Sequence, residues 1–444
     1  MQALLSLSIA LLAGLLLSRA AKLLKLPAVT AYLVAGIIVG PYVLGKIGLP
    51  GLGFISMDDV ESYSILCDAA LGFIAFSIGN EFRLSQLKKI GRQATIVGIF
   101  QAVVATVVVD AALIGLHFAF PNLLTLEAAI ILGAIASATA PAATLMVVKQ
   151  YKAKGALTDI LLPVVALDDA VGLVLFAISF GVAKAIGDEV SIVSVVVEPI
   201  LEVVLSLAIG ALMGLLFHLC ERFFHSRSKR LSVSVAFVLL TIGITKIEDL
   251  HIGVVNIHFS TLLTCMMLGT IFCNICDFSE ELMDRVDRWT APLFVIFFVL
   301  SGAELELSVF ENPIYILIGV VYIIARSAGK YSGAFASAKF AGCDDKIVKY
   351  LGVTLLPQAG VALGMANMAQ KIPGATGDTV LNITLFAVLV YELIGPMLTK
   401  IALTKSGDIT PEGKTSARHE YLKKITEKLP HLHHEPRDRH QRHD

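Results

Sequence analysis

The chain has 444 residues, 56% of them hydrophobic and only 16% charged, with a mean hydropathy of +0.79, whereas soluble domains carry roughly 25% charged residues. Lys and Arg (35) balance Asp and Glu (36) to a net charge of −1, so no basic field points to a nucleic-acid partner. Uncharged stretches such as 26–45, 128–148 and 252–276 match the roughly 20 residues an α-helix needs to cross a bilayer, and they lack the alternation of a membrane β-barrel.

The first apolar run starts at Met1 with no basic region before it, and reads as a membrane helix rather than a removed signal. Apolar length, broken at charged or Pro/Gly-rich points, predicts thirteen spans. They fall at 2–22, 27–45, 61–82, 91–118, 125–149, 156–186, 191–222, 230–247, 255–276, 289–305, 313–339, 346–370 and 379–403. Alternate loops hold the basic residues, among them Arg19, Arg83, Lys149, Arg222, Arg285 and Lys339, while the loops between them hold only Lys46, Lys184, Lys246 and Lys371. Because positive charge accumulates in cytoplasmic loops, the pattern predicts an N-terminus outside and a C-terminus inside, in the inner (plasma) membrane.

A hydrophilic tail, 404–444, carries His431, His433, His434, His440 and His443 among Arg and Asp and is too polar to bury a core. The six cysteines are scattered through apolar runs; Cys273 and Cys276 form one CxxC without the second pair that a structural zinc site needs.

The chain also repeats. Gly79, Glu81 and Leu84, near the end of span three, recur as Gly302, Glu304 and Leu307 near the end of span ten, at a constant offset of 223 residues. The two spans run in opposite senses. Two inverted halves, about 1–186 and 230–403 with 191–222 as linker helix, are the plan of secondary transporters.

Charges at mid-membrane cost at least about 2.5–3.5 kcal/mol each, which marks them as functional. Span six carries Asp168 and Asp169, about 100° apart on a helix, so a division of labour is expected: one carboxylate toward a watery cavity, the other toward a cation on a neighbouring helix. Span eleven offers Arg326 and Lys330 on one face. Buried ion pairing that serves packing alone would account for the same four residues. Span five holds a polar, proline-centred stretch, 137–144, with Thr139 and Pro141, and span twelve holds Leu356-Pro357-Gln358-Ala359-Gly360. Proline removes a helical hydrogen bond, so both spans are expected to unwind at mid-depth, freeing carbonyls and the Thr139 hydroxyl for a desolvated cation. Asp68, Asp110 and Glu392 are candidates for a proton path or for satisfied packing groups, and His258 with Asn256 for structural hydrogen bonding.

Together, Ala166-Leu167-Asp168-Asp169-Ala170, the 137–144 stretch, the Gly79/Glu81 and Gly302/Glu304 helix ends and the Pro357 stretch resemble the bacterial monovalent cation:proton antiporters, in the branch with an Asp-Asp pair on the sixth of thirteen helices. The resemblance covers about 400 residues. It implies an all-α polytopic fold of two inverted repeats with two crossed, interrupted helices. A dimerisation domain (spans one, two, eight and nine, with the span-seven linker) would sit beside a mobile core, and the protein would be a homodimer. By that likeness Asp169 alternately binds cation and proton, Asp168 pairs with a basic residue of span eleven, and Thr139 and Pro141 lie at the crossing. Lys330 is preferred to Arg326 as a titrating partner, with the choice left open. Gln358 departs from the basic residue that relatives often carry there.

The resulting expectation is exchange of Na⁺, or else Li⁺ or K⁺, for H⁺ by alternating access, since a half-desolvated carboxylate holds either ion. A channel-like potassium efflux system is the alternative. No cofactor, resident metal or enzymatic chemistry is expected; an aspartyl protease would need its two carboxylates on different helices.

Overall fold

The computed structural model describes residues 2–24, 26–49, 53–80, 82–187, 192–224, 226–247, 251–252, 255–256, 259–276, 279–305, 312–370 and 376–409. Glu81, Glu306, Leu307, Lys371, His258 and the five tail histidines lie outside them.

Helices dominate because the apolar runs must satisfy their own backbone in lipid. Where the chain leaves a loop, a local signal starts the next helix. Thr125 Oγ1 accepts from the Ala128 amide at 3.2 Å, Ser260 Oγ from Leu263 at 3.3 Å, and Asn312 Oδ1 from Ile314 at 3.0 Å just before Pro313.

In chain order the helices are α1 (Gln2–Leu23), α2 (Ala28–Val39), α3 (Met57–Glu61), α4 (Ser64–Asn80), α5 (Leu84–Ala119), α6 (Leu126–Ile135), α7 (Pro141–Tyr151) and α8 (Ala156–Gly187). They continue with α9 (Ile192–Glu221), α10 (Arg227–Thr245), α11 (Thr261–Ile275), α12 (Ser279–Ala303), α13 (Pro313–Phe340), α14 (Asp345–Thr354), α15 (Gly360–Ala369) and α16 (Thr376–Ser406). A two-residue antiparallel pairing, His251–Ile252 with Val255–Asn256, precedes α11. Among the described residues, eight helices are long and apolar enough to cross a membrane alone. Two spans are interrupted: α6 and α7 make the fifth, α14 and α15 the twelfth, and with α3 outside the count the rest complete thirteen.

Several boundaries differ from the sequence reading, which stopped spans at charges and Pro/Gly-rich points: α2 ends at Val39 rather than 45, and α11 begins at Thr261 rather than 255, where Val255–Asn256 belongs to the antiparallel pairing. α12 begins ten residues early because its polar turns satisfy themselves through Arg285–Glu281 and Arg288–Asp284 pairs, both at 2.8 Å. α5 likewise starts at Leu84, ahead of the expected 91. At the other end α16 runs past 403, and Asp408 is tied down, its Oδ2 accepting from the Thr158 amide at 2.7 Å and the Thr158 hydroxyl at 2.8 Å.

Side-chain packing divides the helices into two bundles. α1, α2, α4 and α9–α12 share one apolar core, in which Phe76, Phe217, Phe272 and Phe298 are buried. α5–α8 and α13–α16 share the others, although Ala142 and Leu145 of α7 and Leu162 and Ala166 of α8 also pack into the first core. Spans three and ten thus pack with the first bundle. Within it, α4 crosses α11 and α12 crosses α2 at glycines. A Cβ on Gly79 would lie 1.9 Å from the Met266 carbonyl oxygen and one on Gly269 2.3 Å from that of Phe76; one on Gly302 would lie 2.2 Å from that of Leu33 and one on Gly36 2.0 Å from that of Val299. Spans three and nine therefore meet as spans ten and two do, the correspondence that two inverted repeats require.

Candidate ion-exchange site

The site grows out of the two interruptions. After α6 the chain leaves helical geometry at 136–140, and Pro141, which has no N–H to give, opens α7. After α14 the same happens at 355–359 before α15. The two breaks cross, and the Ala140 amide donates to the Pro357 carbonyl at 2.8 Å.

Interrupting two helices leaves carbonyls pointing at one another in a buried space, and one cation gathers them. Arg326 of α13, fully buried, donates through Nε to Ala136 at 3.0 Å, through Nη1 to Leu356 at 2.7 Å and through Nη2 to Ala138 at 2.6 Å. Its guanidinium also lies 4.5 Å from the Tyr391 ring centre. Arg326 is thus a strut between the breaks, with no carboxylate partner among the described residues. Gln358 adds a second tie, donating to Ile135 at 3.0 Å and to the Tyr322 hydroxyl at 2.9 Å.

Lys330, one turn further on, donates to Asp168 Oδ2 at 2.6 Å, to Thr139 Oγ1 at 2.9 Å and to the Ser137 carbonyl. Gln101 of α5 donates to Asp168 Oδ1 and the Thr139 hydroxyl to Oδ2. Asp168 is therefore buried with both oxygens engaged and its charge matched.

Asp169 is the opposite case. It is 1% exposed, and neither oxygen has a hydrogen-bond partner among the described residues. A buried acceptor with no donor is costly, and either a proton of its own or a small cation would relieve that cost. The two occupants exclude each other, which is the chemistry an exchanger needs.

A cavity of about 1250 Å³ opens between the bundles at the end that carries Arg83, Lys149, Lys152 and Lys154. Ser77 and Asn80 of α4, Thr158 and Asp159 of α8, and Asp287 of α12 line it. Contacts across this basic end join the bundles: Lys149 Nζ to Asp287 Oδ1 at 2.6 Å, and the Ala28 amide to Gln150 Oε1 at 2.8 Å.

Of the residues singled out from sequence, Asp168, Asp169, Thr139, Pro141, Lys330, Arg326, Pro357 and Gln358 surround this crossing. Asp68 does not join them, since it pairs with Lys246 at 2.8 Å at a partly exposed site on α4. Glu392 is buried on α16, next to Leu393, whose carbonyl accepts from Thr30 of α2 at 3.4 Å, and Asp110 on α5 presses against Gly133 of α6. Sequence reasoning missed Gln101, Tyr322 and Tyr391. A lone glutamine amid an apolar run was the available signal for the first, while the two tyrosines look like any other core aromatics.

Residues 7–405 match the family described as sodium/hydrogen exchanger, transmembrane. The chain belongs to that family. It is a secondary active antiporter that exchanges a monovalent cation for protons. Among curated relatives it is 23% identical over 389 residues to the probable Na(+)/H(+) antiporter 3 of Methanocaldococcus jannaschii, covering 85% of this chain and 91% of that one. It is 22% identical over 404 residues to the Na(+)/H(+) antiporter NhaS4 of Synechocystis, covering 88% and 94%. The solved structure of the sodium proton antiporter MjNhaP1 from M. jannaschii at pH 8 superposes with a TM-score of 0.69 at 18% identity, over 93% of this chain and all of that one. The antiporter fold is shared with it.

Proposed function

We propose that this antiporter exchanges Na⁺ for H⁺ at Asp169. The observation that carries the reading is the contrast on α8, where Asp168 is neutralised by Lys330 and Asp169 is buried with two empty oxygens. Coupling follows from competition, since one carboxyl cannot hold a proton and Na⁺ together, and a site that faces each side in turn moves them in opposite directions. Thr139 and carbonyls of the breaks add ligands that replace water around the ion. Lys330 holds Asp168 in place and is the nearest cation whose proton could be drawn into the cycle.

The second bundle, carrying the crossing, moves against the first. The basic end faces the cytoplasm, as the distribution of Lys and Arg between loops indicates, and the C-terminus lies on that side of the inner membrane. The names of the curated relatives support Na⁺. A homodimer formed through the first bundle rests on family likeness.

The test is dissipation of a preset pH gradient in proteoliposomes by Na⁺, Li⁺ and K⁺ in turn. Na⁺ is expected to collapse the gradient in the wild type and to leave it standing in Asp169→Asn, which keeps the shape and removes the charge. Undiminished exchange in that variant would sink the assignment of the site.

A further inference from the structure

Asp168 and Asp169 are consecutive on α8, yet only Asp169 is left open, and the difference turns on a single oxygen. Asp168 Oδ2 is held twice, by Lys330 at 2.6 Å and by the Thr139 hydroxyl. Among the described residues Oδ1 has one donor, the side-chain amide of Gln101 on α5.

Gln101 stands where three helices close on one another. α13 lies directly on α5 at this level, since a Cβ on Gly333 would fall 2.9 Å from the Gln101 Cα and one on Gly329 2.9 Å from the Ala105 Cα. Lys330 sits on the turn between those two glycines. α5 meets α8 one turn earlier, where a Cβ on Gly98 would fall 3.2 Å from the Cβ of Leu167, the residue before Asp168. With both approaches set by glycines, the Gln101 side chain is fully buried and its amide is carried onto Asp168.

The neighbours decide which end of that amide faces Asp168. Nε2 donates to Asp168 Oδ1 and to the Gly98 carbonyl at 3.1 Å, and both of these are acceptors, so N–H groups must point at them. Oε1 is left buried with no partner among the described residues. For helix packing alone glutamine is a poor choice here, because an apolar side chain of the same length would fill the space without burying an unpaired carbonyl. What it adds is a donor without charge. Lysine or arginine would donate as well, but would set a further positive charge beside a site that must admit a cation.

We infer that Gln101 is a positioning residue that keeps Asp168 out of the ion site, so that Asp169 alone supplies the exchangeable charge. The inference rests on Asp169 as the exchange site. With Asp168 Oδ1 engaged, the unpartnered oxygens of the pair are the two of Asp169. Removing the Gln101 donor adds a third on the adjacent residue, and a small cation is drawn to it for the same reason as to the others. The ion is then held more tightly and leaves more slowly.

The test uses full-length protein in proteoliposomes, with the rate of Na⁺-driven proton flux followed against Na⁺ concentration for wild type, Q101M, Q101N and D169N. Q101M has the same length and no donor; it is expected to lower the half-saturating Na⁺ concentration about fivefold and the maximal rate by about the same factor, since tighter binding acts mainly through slower release. Q101N keeps the amide and should stay within about twofold of wild type in both, a rescue that packing would not give, because asparagine leaves the larger gap. If Q101M does not fold, Q101L replaces it and should shift both quantities in the same direction. Loosened packing predicts the opposite sign, a raised half-saturating concentration, or a slower rate at an unchanged one. Either result, or a Q101M protein equal to wild type, would overturn the role of Gln101 while leaving Asp169 in place. Exchange surviving in D169N would instead overturn the ion site, and the role of Gln101 with it.

Discussion

Two regions of this molecule bring helices into backbone contact, and they do it by opposite means. In the first bundle Gly36, Gly79, Gly269 and Gly302 remove side chains so that helix lies directly on helix, with every neighbour apolar or a backbone carbonyl already used in its own helix. In the second bundle the helices stop being helices, and the carbonyls released at 136, 138 and 356 are collected by Arg326. The first solution keeps the crossing helices intact and frees none of their backbone groups at the contact. The second supplies fixed positive charge and leaves Asp169 with both oxygens unpartnered among the described residues, the feature on which the proposed exchange site rests. A carrier needs both, a rigid wall and a site whose occupancy can change.

The strongest way to break the comparison is to remove the unpaired group. Asp169→Asn should bring Na⁺-driven proton flux to background in proteoliposomes while the thermal unfolding temperature stays near that of wild type, since no protein partner is lost.

Removing the paired charge should do the reverse. Lys330→Ala leaves Asp168 buried without its cation, and breaking such a pair costs about 3–5 kcal/mol. The expected outcome is a large drop in unfolding temperature in detergent. Asp168→Asn combined with Lys330→Met should recover much of it, because no lone charge then remains. A Lys330→Ala protein as stable as wild type would mean that the pair contributes little to the crossing.

Much of the second region is legible in the sequence, because chemistry there shows as rule-breaking: two aspartates far from either end of an apolar run, and a proline at the middle of spans five and twelve. What stays hidden is the distribution of partners. Arg326 and Lys330 are four residues apart on one face, and only the positions of the 136, 138 and 356 carbonyls send the planar fork of Arg326 to the backbone and Lys330 to Asp168. The first region is nearly silent, since a glycine in an apolar helix reads the same whether it faces lipid or another backbone. Gly79 and Gly302 stood out only through the repeat, and Gly36 and Gly269 did not stand out at all. Span ends fail for a simple reason at α12, which continues past the apolar run on charged turns that pair among themselves, Arg285 with Glu281 and Arg288 with Asp284.

Gly36 probes the rigid wall directly. In Gly36→Ala the new methyl would fall 2.0 Å from the Val299 carbonyl oxygen, so α2 and α12 must separate, at a cost of about 1–3 kcal/mol. Stability and expression should fall, while the Na⁺ concentration giving half-maximal exchange stays within about twofold of wild type. A change in ion dependence larger than the change in stability would show that the wall shapes the site.

The smallest expected effect lies at the seam, where the two regions touch at the basic end. Lys149 and Asp287 meet at 2.6 Å with a quarter to a third of each side chain exposed, and Ser77 donates to the same Asp287 oxygen at 3.1 Å. A pair this close to water contributes at most about 1 kcal/mol, so Asp287→Asn should leave the unfolding temperature almost unchanged. Yet Lys149 belongs to α7 and Asp287 to α12, so the contact breaks whenever the second bundle shifts against the first. An energy of that size, negligible for folding, changes the balance between two orientations by up to about fivefold. Asp287→Asn is therefore expected to alter the maximal exchange rate by a few-fold at unchanged stability, and raised ionic strength should bring wild type toward the variant. A variant that exchanges at the wild-type rate across that range of salt would mean that the bundles part along some other line.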